Sequence, residues 1–217
     1  MPSGSDRIIA LRRLLEERHP TARSRTTRVI ATGVPALDEI LGGGLHSGTL
    51  TEWVSARASS GSQTSLGALL LHTRLARQRV ALIDAAGAFD PEGLDDDAVA
   101  HLVWVRCAKL SECWRAADLA VRDPNYAVVA VDVRGQPLRA LMRTRDSIWV
   151  RLQRAAEQAG TAVVVQSDSA IVPNAACRVE FIRSLEPGSL LAERSDIVHG
   201  LAPELQRMRV RRVEVSA

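Results

Sequence analysis

Apolar residues in this chain gather in short, nearly unbroken runs, and between the runs they recur at every third or fourth position. The runs are QRVALID (78–84), HLVWVR (101–106), the YAVVAVD segment ending at Asp132, and TAVVVQSD (161–168). Strands this apolar are covered on both faces, which is the habit of a parallel sheet flanked by helices. Helical spacing falls on residues 64–77, 110–121 and 137–159, the last ended by Gly160. Strand, turn, helix and strand joined by short connections make βαβ units, so the expected fold is α/β with a mainly parallel sheet and helices on both faces. From residue 175 the pattern changes to alternation in CRVEFIRS and QRMRVRRVEVS, which predicts an antiparallel C-terminal extension at one sheet edge. Arg211 and Arg212 break that alternation, and a bulge or frayed end is expected there. At the other end, Ile8, Leu11, Leu14 and Leu15 mark an amphipathic helix over residues 6–18, stopped by Pro20 and followed by a short basic linker. The chain thus divides into an arm, residues 1–28, and a single core, residues 29–217.

Length and composition narrow the class. A chain of 217 residues can bury a proper core as one domain. With 46% hydrophobic and 24% charged residues it has the balance of a globular protein. No stretch reaches the ~18 apolar residues of a membrane span, and residues 1–20 are too charged for a signal peptide. Cys107, Cys113 and Cys177 are odd in number and lack ligand spacing, so reduced thiols and a cytoplasmic location are expected. His19, His46, His72, His101 and His199 show no ligand or catalytic spacing either, and no metal site is expected.

The candidate chemistry sits at Ser59-Ser60-Gly61-Ser62-Gln63-Thr64, between the first core strand and the helix over 64–77. A phosphate-binding loop would lie at this point. Such a loop needs a glycine at each end of four residues, then Lys, then Ser or Thr. Here the first glycine position is Ala56 and the lysine position is Ser62. Lys109 is the only lysine in the chain, so no change of register can supply one. Asp132, at the end of an apolar strand, stands where nucleotide-binding folds place the carboxylate of a magnesium shell. Ser59, Ser60, Gly61, Ser62, Thr64 and Asp132 therefore read as a vestigial nucleotide site, with no catalytic residue and no cofactor expected. Arg57 is the nearest replacement cation should the loop still hold phosphate.

Net charge is only +3, but the charges are clustered. Residues 1–30 carry seven Arg against three acids, and residues 134–154 carry six Arg against Asp146. Residues 84–112 carry seven acids against Arg106 and Lys109. Arg clusters can hold phosphate non-specifically, so weak DNA binding is compatible with the chain. The aromatic platforms of single-strand binders are sparse, and Trp53, Trp104 and Trp149 fall in strand or apolar-helix positions that predict core.

These motifs together resemble the ATPase core of the RecA recombinase family. The resemblance runs through Thr32-Gly33, Leu37-Asp38, the LGGGL of residues 41–45, Gly48, Glu52, Ser59-Ser60-Gly61, IDAAGAFDP at 83–91, Asp132 and Gln166. It covers residues 30–184 in consistent order and implies a RecA-like core. It also implies losses. The glutamate that activates water in RecA falls on Ala86, which cannot act as a base. The two DNA-binding loops, after Asp132 and after Gln166, are curtailed, and RecA's additional C-terminal domain has no counterpart here.

A short RecA-like chain without these groups resembles the ImuA (SulA-like) family. That family implies a non-enzymatic adaptor in damage-induced translesion synthesis. Its implied partners are an ImuB-type polymerase homologue, RecA and, indirectly, an error-prone DnaE-type polymerase. By analogy with the RecA filament, Ile8, Leu11 and Leu15 are expected to dock on RecA or on a second copy of the chain. Arg207, Arg209 and Arg211 are expected to meet ImuB or DNA phosphate. Two other functions stay open from the sequence: an ATP-binding recombination paralogue and a SulA-like inhibitor of cell division.

Overall fold

A computed structural model of the chain describes residues 28–209. The helix expected over residues 6–18, with Ile8, Leu11 and Leu15, lies outside the described residues, as does Arg211 with the break at 211–212.

The core opens with a small module in which β1 (Val29–Ile30) meets β2 (Leu45–His46) antiparallel across α1 (Pro35–Ile40). β3 (Leu50–Val54), α2 (Ser62–Leu75) and β4 (Arg79–Asp84) form the first βαβ unit. After the short α3 (Asp96–Val99) come β5 (Leu102–Arg106), α4 (Leu110–Val121) and β6 (Tyr126–Asp132). α5 (Leu138–Leu141), α6 (Asp146–Ala159) and β7 (Ala162–Ser167) follow. β8 (Cys177–Glu180), a 3-10 turn at Pro187–Leu191, α7 (Arg194–His199) and β9 (Glu204–Met208) end the described chain.

Seven strands make one sheet in the order β5-β4-β6-β7-β3-β8-β9. All neighbours are parallel except β8 and β9, which pair antiparallel. The order is consistent with a RecA-like core. It sets β3 between β7 and β8, while β4, its successor in the chain, lies three places away. That reversal opens a crevice at the carboxyl ends of the strands, the usual ligand position in open α/β sheets. Register brings the same ends level: Asp84 pairs with Asp132, and Asp132 with Gln166.

The two faces of the apolar strands bury separate cores, as alternation along a strand requires. Val128 and Ala130 pack with Leu66, Leu69 and Leu70 of α2. Val129 and Val131 pack with Cys113 and Ala117 of α4 and Trp149 and Leu152 of α6. Each such side chain contributes roughly 1.5–3 kcal/mol of burial, which is what holds the strand ends rigid under the site. Trp53 and Trp149 are core residues, as their positions predict.

Three expectations change. The helix expected over 137–159 is two helices, α5 and α6, separated at residues 142–145. Thr144 is a weak helix former and Asp146 suits a first turn, where its charge meets the helix dipole. β8 joins β3 in parallel, so the antiparallel extension is β9 alone. The irregularity of that pair lies between Arg178 and Val179. Finally, α2 begins at Ser62, two residues earlier than the spacing predicts, because Gly61 in the left-handed region (φ 95°) starts it. Among the described residues, no helix is long and apolar enough to cross a membrane.

Candidate functional site

The crevice at the carboxyl edge is an open cleft of about 660 Å³, lined by residues 55–64, Ala86, Ala88, Arg134, Gly135, Asp168 and residues 185–187. It gathers Ser59, Ser60, Gly61, Ser62 and Thr64 around the start of α2. The turn is tight, with two residues in the left-handed region: Ser59 has φ 55° and Gly61 φ 95°. It is also clamped from the C-terminal side. The Leu185 N–H donates to the Ser59 carbonyl at 2.7 Å, and the Ser184 hydroxyl to the Ala58 carbonyl at 3.1 Å. Gly61 stands at φ 95°, a conformation that L side chains rarely adopt, so any other residue there is strained, and its Cβ would also displace Cδ2 of Leu201. The hydroxyls of Ser55 and Ser60, both buried cleft residues, have no hydrogen-bond partner.

Asp132 ends β6 with no exposed surface and does not open onto the cleft. Arg134 covers it. Nε of Arg134 donates to Oδ1 of Asp132 at 2.9 Å, and Nη2 to Oδ2 at 2.6 Å, a two-pronged pair. The remaining arm, Nη1, donates to the Ser62 hydroxyl at 3.2 Å. The Arg134 backbone N–H adds a bond to Oδ1 at 3.1 Å. The guanidinium is only 16% exposed and ties the end of β6 to the first turn of α2. Gln166 supports the same turn, its Nε2 donating to the Ser62 carbonyl at 3.3 Å while Oε1 is buried without a partner.

The RecA resemblance implies a magnesium-bound nucleotide here, and the side chains present do not match that demand. The lysine position is Ser62, and the next position, where a hydroxyl would hold the metal, is Gln63. The Gln63 amide is turned to the Ala88 carbonyl at 3.1 Å. Ala86 lines the cleft where the base would be. Asp84, one strand over, accepts from the Gly87 N–H at 2.6 Å and from Trp104 Nε1 at 3.1 Å. Both oxygens of Asp132 are taken by Arg134. Arg57 lines the cleft and is exposed.

Two buried charge pairs were not foreseen from sequence. One is Arg134 with Asp132. The other joins Glu52 of β3 to Arg178 of β8, Nε to Oε2 at 2.6 Å. Glu52 also accepts the N–H groups of Ile171 and Val172 at 2.5 and 3.0 Å, which fixes the short loop after β7 against the sheet. The available signal was the lone Glu52 in the apolar strand LTEWV; CRVE carries both Arg178 and Glu180, so it did not single out Arg178. For Arg134 the signal was weaker, an Arg-Gly pair one residue beyond the strand that ends in Asp132.

Of the other predicted site residues, the two that are described, Arg207 and Arg209, stand apart from the cleft. Arg207 lies in β9 at the far edge of the sheet, with Nη1 donating to the Pro173 carbonyl at 2.9 Å. Arg209 follows it, exposed, its backbone N–H bonded to the Ala176 carbonyl at 2.7 Å. Among the described residues, no cluster of His, Cys, Asp and Glu could hold a metal.

No family model matches the chain. Over 77 residues it is 36% identical to the DNA repair and recombination protein RadB of Thermococcus gammatolerans, a stretch covering 34% of this chain and 31% of that protein. The match thus spans about a third of either sequence. The parallel sheet with its crevice at β3, taken with this partial match, supports a RecA-like family for the chain.

Proposed function

We propose that this chain is a non-catalytic RecA-like adaptor of DNA repair, acting in damage-induced translesion synthesis as members of the ImuA family are understood to do. It would contact an ImuB-type polymerase homologue and RecA, and through them an error-prone DnaE-type polymerase. A cytoplasmic, nucleoid-associated location follows from those partners. The observation that carries the reading is the cleft, where Ser62, Gln63 and Ala86 stand at the three positions that chemistry needs and Asp132 is tied to Arg134. Phosphoryl transfer depends on a cation at the phosphates, a held metal and an oriented nucleophile, and none of these side chains supplies them. A RecA-like frame stripped of turnover retains shape and surface, which suit a scaffold. The arm with Ile8, Leu11 and Leu15 and the basic C-terminal strand remain its proposed contacts, the first equally suited to a second copy.

The test is co-purification of the tagged full chain from DNA-damaged cells, probed for RecA, for ImuB-type protein and for the division-ring protein. Capture of either of the first two supports the adaptor. Capture of the division-ring protein alone would transfer the reading to a cell-division inhibitor.

A second reading, an ATP-binding paralogue in recombination or its regulation, is favoured by the Ser55 and Ser60 hydroxyls, buried at the cleft without partners. Unpaired buried hydroxyls are costly and suit an anion that arrives later. Stabilisation of the fold by nucleotide separates this reading from the first.

A further inference from the structure

Arg134 makes more contacts at the cleft than a surface arginine needs. Its side chain joins the strand-end carboxylate two residues before it to Ser62, 72 residues earlier in the sequence. The turn that aims it is held: Gly135 sits at φ 70°, and its N–H donates to Oδ2 of Asp168 at 2.6 Å. All three guanidinium nitrogens are engaged, two with Asp132 and one with the residue at the lysine position.

We propose that Arg134 is an internal cation that takes the place of both the metal and the lysine, and that it closes the Asp132 carboxylate to divalent ions for as long as it is present. This rests on the non-catalytic reading of the cleft and adds the group responsible. A magnesium ion binds through one or two carboxylates with ligands at about 2.0–2.1 Å in strict octahedral array. The planar fork occupies both oxygens of Asp132, and its positive charge repels a second cation at the same place. Because the pair is neutral overall, the guanidinium has little charge left for a triphosphate. Asp168 at the rim makes the cleft still less attractive to an anion.

Removing Arg134 uncovers a fully buried carboxylate with Ser62 and Gln166 beside it. A buried charge left alone is strongly destabilising, whereas a pair removed together costs far less. The experiment compares the full chain with Arg134→Gln, Arg134→Ala and the double variant Arg134→Gln/Asp132→Asn by thermal unfolding, with and without millimolar manganese. Manganese binding is followed separately by its electron paramagnetic resonance signal. The expected result is a wild type indifferent to manganese. Arg134→Gln should melt about 10 °C lower, given 3–5 kcal/mol for an orphaned buried charge and 2–4 °C per kcal/mol in a chain this size. It should recover much of that loss when manganese is added. The double variant should melt higher than Arg134→Gln and ignore the metal. Arg134→Gln keeps most of the side-chain volume, so it reports even where Arg134→Ala fails to fold. Manganese binding by the wild type that is lost on Asp132→Asn would overturn the proposal. So would an Arg134→Gln protein that gains no metal binding, or a double variant no more stable than the single. Capture of RecA or ImuB-type protein by the wild type is read independently, so failure here leaves the adaptor reading standing and the reverse also holds.

Discussion

The module before β3 and the cleft after it both carry RecA-like residues, yet they have kept different things. In the leading module several family-like residues are at work in the packing. Asp38 accepts the Thr32 backbone N–H at 2.7 Å and its hydroxyl at 2.8 Å, with Thr32 wholly buried. Gly44 runs at φ 137°, where a Cβ would collide with the Ile30 carbonyl. Leu37, Leu41 and Leu45 are sealed in the core. In the cleft the turn is held by backbone hydrogen bonds, but the groups at the phosphate and metal positions are Ser62, Gln63 and a carboxylate already paired.

The sharpest way to break that contrast is at Gly44. Alanine there meets both a forbidden backbone region and the Ile30 carbonyl, and should cost about 3–5 kcal/mol in urea unfolding. A cost below about 1 kcal/mol would show that the module does not need its glycine. Next in size is Asp38→Ala. It leaves the buried Thr32 N–H without its acceptor and should cost about 2 kcal/mol, with Asp38→Asn recovering part. If both variants unfold with the wild type, the module is not the frame described here.

The cleft should respond in the opposite sense to restoration. Ser62→Lys returns the missing lysine but sets it against Arg134 and removes their hydrogen bond. It should lower stability by about 1 kcal/mol or more and bring no nucleotide-dependent rise in melting temperature. A rise with magnesium and ATP would mean that the single lysine was all the cleft lacked.

The smallest effect concerns the thiols that report on the closed core. Burial pushes the Cys177 thiol up to about 11 and the Cys113 thiol higher still. Cys107, partly exposed, is raised as well, first by desolvation and then by Glu112 and Asp84. The thiolate is the reactive form, so a thiol reagent at neutral pH should label Cys107 slowly and the other two only on unfolding. Rapid labelling of Cys177 in the native protein would place β8 outside the rigid frame.

Much of this frame was legible in the sequence because burial on both faces writes itself as unbroken apolar runs. Helix α4 falls on the spacing of residues 110–121, and β6 ends at Asp132 as read. The break between α5 and α6 was not read, although the polar run RTRDS (143–147) interrupts the apolar spacing, because the helical period resumes in phase at Ile148 and Trp149. The direction of β8 was not legible either: alternation in CRVE marks a half-buried strand, not its neighbour. Of the site, the missing lysine and the Asp132 carboxylate were read directly. Arg134 was missed because its meaning lies in a contact with Ser62, and no local spacing encodes a pair 72 residues apart. Nor did the run after Phe181 announce α7, whose trailing Leu201 packs on Gly61.

We propose that the RecA-like frame stands around a cleft that does not take magnesium and nucleotide. Thermal unfolding of the purified full chain with and without millimolar ATP and magnesium tests it most directly, because ligand that binds only the folded state must raise the melting temperature. The account predicts no shift. A rise of several degrees that disappears in Asp132→Ala would contradict it and make the chain a nucleotide-binding protein.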